Sequence, residues 1–198
     1  MSDAVTPADS RTAGPTTGPR VAPGDRRQVG RLNHAIASAL GRAAGTAAPN
    51  LFLTLGRHRR LFRGWLHFAG TLMPGGRLSR RESETVILRV ANRRGCDYER
   101  EHHRRLGLRA GLTAGDVDAL GAPDTATDPR WSARQAAMIA AVDQLLEHRD
   151  LDDRAWASLR RRLDDRELIE LVMLVGHYDM LATAITTLRI QPDGPRTR

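Results

Sequence analysis

Apolar residues recur at three- and four-residue intervals through most of this chain, and no stretch alternates apolar and polar residues as a half-buried strand would. That regularity confines the chain to an all-α fold. Turn signals divide it into elements. Pro49 and Asn50 open a helix through Leu51, Leu55, Leu61, Phe62, Leu66 and Met73, broken near Gly56, and Pro74-Gly75-Gly76 stops it. Ser79 with Glu82 forms a capping box that starts the next helix. Gly95 ends that helix, and Cys96 begins another that reaches about Leu108. Thr113 with Asp116 caps a short helix, and residues 132–148, 152–163 and 164–188 read as three more. Residues 1–28 carry no apolar period and are expected to form a disordered tail, with a single helical-bundle domain over 29–191 and a second tail over 192–198.

The formal charge of +8 invites a nucleic-acid reading. All 31 basic residues are arginine, however, which points to a GC-rich coding bias, and aromatics at 4% are too few for a base-stacking platform. Nucleic acid is therefore not an expected partner. The single cysteine, Cys96, excludes an internal disulfide and fits a reducing compartment. No apolar signal-peptide segment stands near Met1, so the expected location is the cytoplasm. Residues 168–188 are apolar enough to raise the question of a membrane span. They include Glu170, His177 and Asp179, and a mid-helix Asp costs about 3 kcal/mol in a bilayer, so a buried helix is expected and no membrane partner.

On the helix after Ser79, Arg81, Thr85, Arg89 and Arg93 are expected to form the wet face, and Ile87, Leu88, Val90 and Ala91 the dry one. Glu84 shares the stripe of Ile87 and Leu88. Two readings of it stand: a buried carboxyl with a raised pKa, suited to proton transfer, or a partner for a nearby arginine. On the following helix Cys96, Glu99 and His103 fall on one face at i, i+3 and i+7, and Leu106 continues that face into apolar ground. Cys96 lies where the helix dipole favours a thiolate, or it is a structural core cysteine. Glu99 and His103 can share a proton. Glu99 and His102 also make one Glu-x-x-His step, but no second step accompanies it, so no metal and no cofactor are expected. Tyr98, His102, His177 and Asp179 are further substrate-pocket candidates, or satisfied core groups.

The spacing of Glu84, eleven residues, Cys96, two residues, Glu99, three residues and His103 resembles the active-site motif of the alkylhydroperoxidase-D family. The text from Leu78-Ser79-Arg80-Arg81-Glu82-Ser83-Glu84 to Gly111-Leu112-Thr113 is similar to the core of the wider carboxymuconolactone decarboxylase family, and the flanks at 50–66 and 168–188 to its longer branch. The resemblance implies an alkylhydroperoxidase-D-like helical bundle that assembles as a homotrimer or hexamer, with Glu84, Cys96, Glu99 and His103 catalytic. Peroxidase members carry a second cysteine where this chain has Glu99. Decarboxylase members share Glu99 and His103 and usually lack the cysteine.

Three functions follow as expectations. The first is general acid/base chemistry on a small organic substrate, of the decarboxylation, lactone isomerisation or dehydration type. The second is a one-cysteine thiol peroxidase, which requires an external thiol reductant to resolve the sulfenic acid. The third is a non-catalytic oligomeric or nucleic-acid-binding protein on the same scaffold.

Overall fold

The computed structural model describes residues 18–44 and 47–194; the disorder expected of residues 1–17 and 195–198 lies outside them. The described residues form α1 (Arg26–Val29), α2 (Arg31–Ala44), α3 (Asn50–Leu55), α4 (Arg59–Leu72), α5 (Arg80–Arg93), α6 (Asp97–Arg109), α7 (Ala114–Ala119), α8 (Ala133–His148), α9 (Asp153–Arg160) and α10 (Asp165–Leu188), with one 3-10 turn at Thr125–Thr127. No strand occurs among them. The starts are chemical. Ser79, Thr113, Ser132 and Asp164 each close a capping box that satisfies otherwise orphaned amides of α5, α7, α8 and α10.

α5 is the central helix, packed against α6, α8 and α10. Val86, Ile87, Leu88, Val90 and Ala91 are wholly buried, so α5 is dry around most of its circumference. This corrects the expected wet face: Thr85 and Arg89 are each only 1% exposed. α8 and the loop after α7 cover that side. The Arg89 guanidinium holds both oxygens of Asp143 at 2.8 Å and donates to the carbonyls of Leu120, Ala122 and Pro123. A buried arginine is tolerable because each donor finds an acceptor.

α10 is long and apolar enough, by length and composition alone, to cross a membrane. Its Leu171, Leu174, Val175, Leu181 and Ile185 are buried in the main apolar cluster with Val86, Ile87, Met138 and Val142. Ile169, Val172, Met173 and Met180 lie exposed on its other side.

Segments expected to be tail are part of the fold at both ends. Asp25 caps α1, the Gly24 amide donates to the Leu53 carbonyl at 3.0 Å, and the Arg20 amide donates to the Leu188 carbonyl at 3.0 Å. Near the other end, Asp193 Oδ1 accepts from the Asn50 amide at 2.7 Å and from the Tyr98 hydroxyl at 2.9 Å. Asn50 Nδ2 in turn donates to the carbonyls of Gln191 and Pro192. Hydrogen bonds, rather than an apolar period, dock these segments, which is why the pattern of hydrophobicity did not mark them.

Candidate active site

A cavity of about 450 Å³ lies between the α3–α4 pair and the faces of α6 and α10. Leu51, Phe52, Trp65, Leu106 and Leu181 supply apolar wall, and Arg80, Glu99, His102, His103, His177 and Tyr178 bring polar atoms to it. The size and the mix of apolar wall with a few convergent polar groups are those of small-molecule sites.

α6 carries the centre of this arrangement. Gly107 lets it approach α5 closely: a Cβ there would stand 3.2 Å from Leu88 Cδ1 and 3.0 Å from Leu112 Cδ1. The approach brings His103, one turn earlier, against Glu84 of α5. His103 Nδ1 lies 2.8 Å from Glu84 Oε2, and both side chains are buried. A carboxylate only accepts, so Nδ1 carries the proton and Nε2 is left as the basic atom. Glu84 is not itself on the cavity wall. Its other oxygen faces the Arg80 guanidinium at 2.8 Å, an ion pair one helical turn apart whose alignment falls short of a hydrogen bond. Of the two readings of Glu84, the arginine partner is present, and the same buried carboxyl also holds His103.

Glu99 is only 3% exposed, and among the described residues neither of its carboxyl oxygens has a hydrogen-bond partner. Burial pushes its carboxyl up to about 8, and the Asp179 charge adds to the shift. It is therefore an acid holding its proton at neutral pH, one turn along α6 from a basic imidazole. Burial holds His102 and His177 down to about 4, so both rings are neutral, and among the described residues the Nδ1 of each lacks a partner. The His177 ring lies parallel to Trp65, and the Tyr178 ring meets His103 edge-on at 5.0 Å between centroids. Burial raises the Tyr178 hydroxyl well above its ordinary range. The Tyr98 ring lines the cavity, while its hydroxyl is engaged by Asp193 and the Leu51 amide.

Two expected residues lie elsewhere. Asp179 is not on the cavity wall, because Arg94 Nε draws it away at 2.5 Å. Cys96 caps α6 yet is 2% exposed, packs in the main apolar cluster and is likewise absent from the wall. Burial first, and the Glu99 carboxylate second, push its thiol up to about 12. The thiolate expected from the helix start is overridden. Tyr178, like His177, was a polar group of the last helix that could face a pocket or an interface, whereas Arg80 and Trp65 were not expected at the site. Of those two only Arg80 left a trace in the sequence, standing four residues before Glu84 where helical spacing pairs them.

Residues 59–143 match the model of the carboxymuconolactone decarboxylase family. This segment belongs to that family. It holds Arg80, Glu84, Cys96, Glu99, His102 and His103, while His177 and Tyr178 come from α10 beyond it. Solved structures of the same alkylhydroperoxidase-D-like fold include an uncharacterized peroxidase-related protein from Silicibacter sp. TM1040, with a TM-score of 0.76 and 16% identity over 92% of this chain and 94% of that one. A second is the alkylhydroperoxidase AhpD core protein from Ralstonia eutropha JMP134, with a TM-score of 0.75 and 16% identity over 87% and 92%. A third is the debrominase Bmp8, in complex with 2,3,4-tribromopyrrole, with a TM-score of 0.72 and 17% identity over 92% and 93%. At such identities the likeness concerns the fold. No curated protein matches the chain.

Proposed function

We propose that this family member is an enzyme doing general acid/base chemistry on a small organic molecule, with His103 as base and Glu99 as acid. The observation that carries this reading is a buried, protonated carboxyl with two unpartnered oxygens beside an imidazole whose far nitrogen is held by a carboxylate. His103 Nε2 takes a proton from the substrate, and the charge that builds on the ring is stabilised by Glu84, itself braced by Arg80. Glu99 delivers its proton to the substrate atom that gains electron density, such as the oxygen of a carbonyl or a leaving hydroxyl. Lactone isomerisation and dehydration decompose into these two transfers; in decarboxylation the C–C bond to the carboxylate breaks with release of CO2, and the acid protonates the carbon left behind. The apolar wall supports the scheme, since it excludes water from both groups.

The thiol-peroxidase reading loses its support at Cys96, which is buried, off the cavity wall and protonated. The test is a panel of small lactones, hydroxy acids and hydroperoxides, the last with dithiothreitol as reductant. The acid/base reading expects a turnover that Glu99→Gln and His103→Asn each reduce by about a hundredfold or more and that Cys96→Ser leaves in place. Peroxide consumption abolished by Cys96→Ser would overturn it.

A further inference from the structure

We propose that the cavity selects uncharged ligands, compact and mostly apolar molecules that carry both a hydrogen-bond donor and an acceptor, and that it rejects carboxylates. The inference rests on the acid/base reading, in which His103 works as a pair with Glu84, 2.8 Å away. It is built from the wall. Among the described residues Arg80 is the one arginine on the wall, and its charge is committed to Glu84 at 2.8 Å. His103 is likewise committed to Glu84, and burial keeps Glu99, His102, His177, Tyr98 and Tyr178 in their neutral forms. An anion entering this space would leave water and meet no uncommitted positive charge, so its desolvation goes uncompensated.

What the wall does offer is unmade hydrogen bonds. Glu99 is 3% exposed and His177 5%, and the unpartnered atoms are both Glu99 oxygens, His177 Nδ1 and His102 Nδ1. A protonated carboxyl presents a donor and an acceptor, and each neutral imidazole presents one of each. Buried atoms left in this state are destabilising on their own, and a ligand with complementary groups recovers that loss. A carboxylate, which only accepts, would leave half of them unmet. The substrates that fit are neutral hydroxylactones, amides, phenols and N–H heterocycles, so among the acid/base reactions lactone isomerisation and dehydration are favoured over decarboxylation of a free acid.

Benzamide and benzoate share a shape and differ in charge and donors, so their relative affinity for the full-length protein tests the proposal. Isothermal titration calorimetry near pH 7 should find benzamide bound at least about tenfold tighter than benzoate. Glu99→Gln, which keeps a donor and an acceptor at the position, should hold benzamide within about threefold of the parent affinity. Equal or tighter binding of benzoate would overturn the selection, and so would the absence of saturable benzamide binding at millimolar concentration. Binding is read without turnover, so failure of the acid/base reading, seen as activity surviving Glu99→Gln, is a separate result.

Discussion

Glu99 lives in an interior that gives neither of its oxygens a partner, and it does so by staying neutral. The consequence for stability has a definite sign. The unfolded chain ionises this group near the usual 4.5, whereas the fold keeps the proton until about 8. The contribution is fully present below the lower value and is lost as pH climbs toward the upper one. Glu99→Gln should remove that slope and be the more stable protein near pH 8, by something on the order of a few kcal/mol, in urea titrations at matched pH. A parallel loss of stability in parent and variant would count against the neutral acid. Cys96 gives a second test at this scale. With its thiol pushed up to about 12, iodoacetamide should label it near neutral pH at least about a hundredfold more slowly than a free thiol, the difference vanishing in denaturant. The placement of Glu84, Glu99 and His103 was legible in the sequence because helical spacing alone puts Glu99 and His103 on one face. The protonation state of Cys96 was not, since it depends on what the whole fold stacks over the start of α6.

At the level of elements, α5 shows where periodicity misleads. Arg81, Thr85, Arg89 and Arg93 recur every four residues, and a four-residue polar stripe ordinarily faces water. Arg89 instead meets Asp143, 54 residues away on α8, and no local rule reveals a partner at that distance. The pair fastens α5 to α8 and, through three carbonyls, to the loop at 120–123. Arg89→Met should cost about 3–5 kcal/mol in chemical denaturation, because Asp143 then keeps only its longer contact to Arg93. A loss below about 1 kcal/mol would mean that water replaces the guanidinium without strain. The caps, by contrast, were readable to the residue: Ser79, Thr113 and Ser132 start helices where serine or threonine precedes an acid or amide by three positions.

Across the whole molecule, the all-α architecture was legible and the cavity was not. Helices follow from local pattern, but the wall gathers Trp65, Leu106 and Tyr178 from three helices whose mutual packing the pattern does not state. Two neutral histidines on that wall make the fold sensitive to acid. The unfolded chain protonates them near 6.5 and the fold resists down to about 4, so their stabilising contribution is present above the first value and lost as pH falls through that window. His177→Gln should flatten part of the acid limb of a stability–pH curve, and an unchanged limb would remove His177 from the account. The contact of Asp193 with Asn50 and Tyr98 bears on the same cavity from outside. Asp193→Ala should lower stability by about 1–2 kcal/mol and weaken benzamide binding, because it frees the start of α3 that carries Leu51 of the wall. That fastening also sets an order of events during synthesis. Acid and base sit one turn apart on α6 and meet as soon as that helix forms, yet the wall that keeps water from them is secured only when residue 193 has left the ribosome, so a nascent chain carries the reactive pair in a wet, open groove and has no working site to misuse.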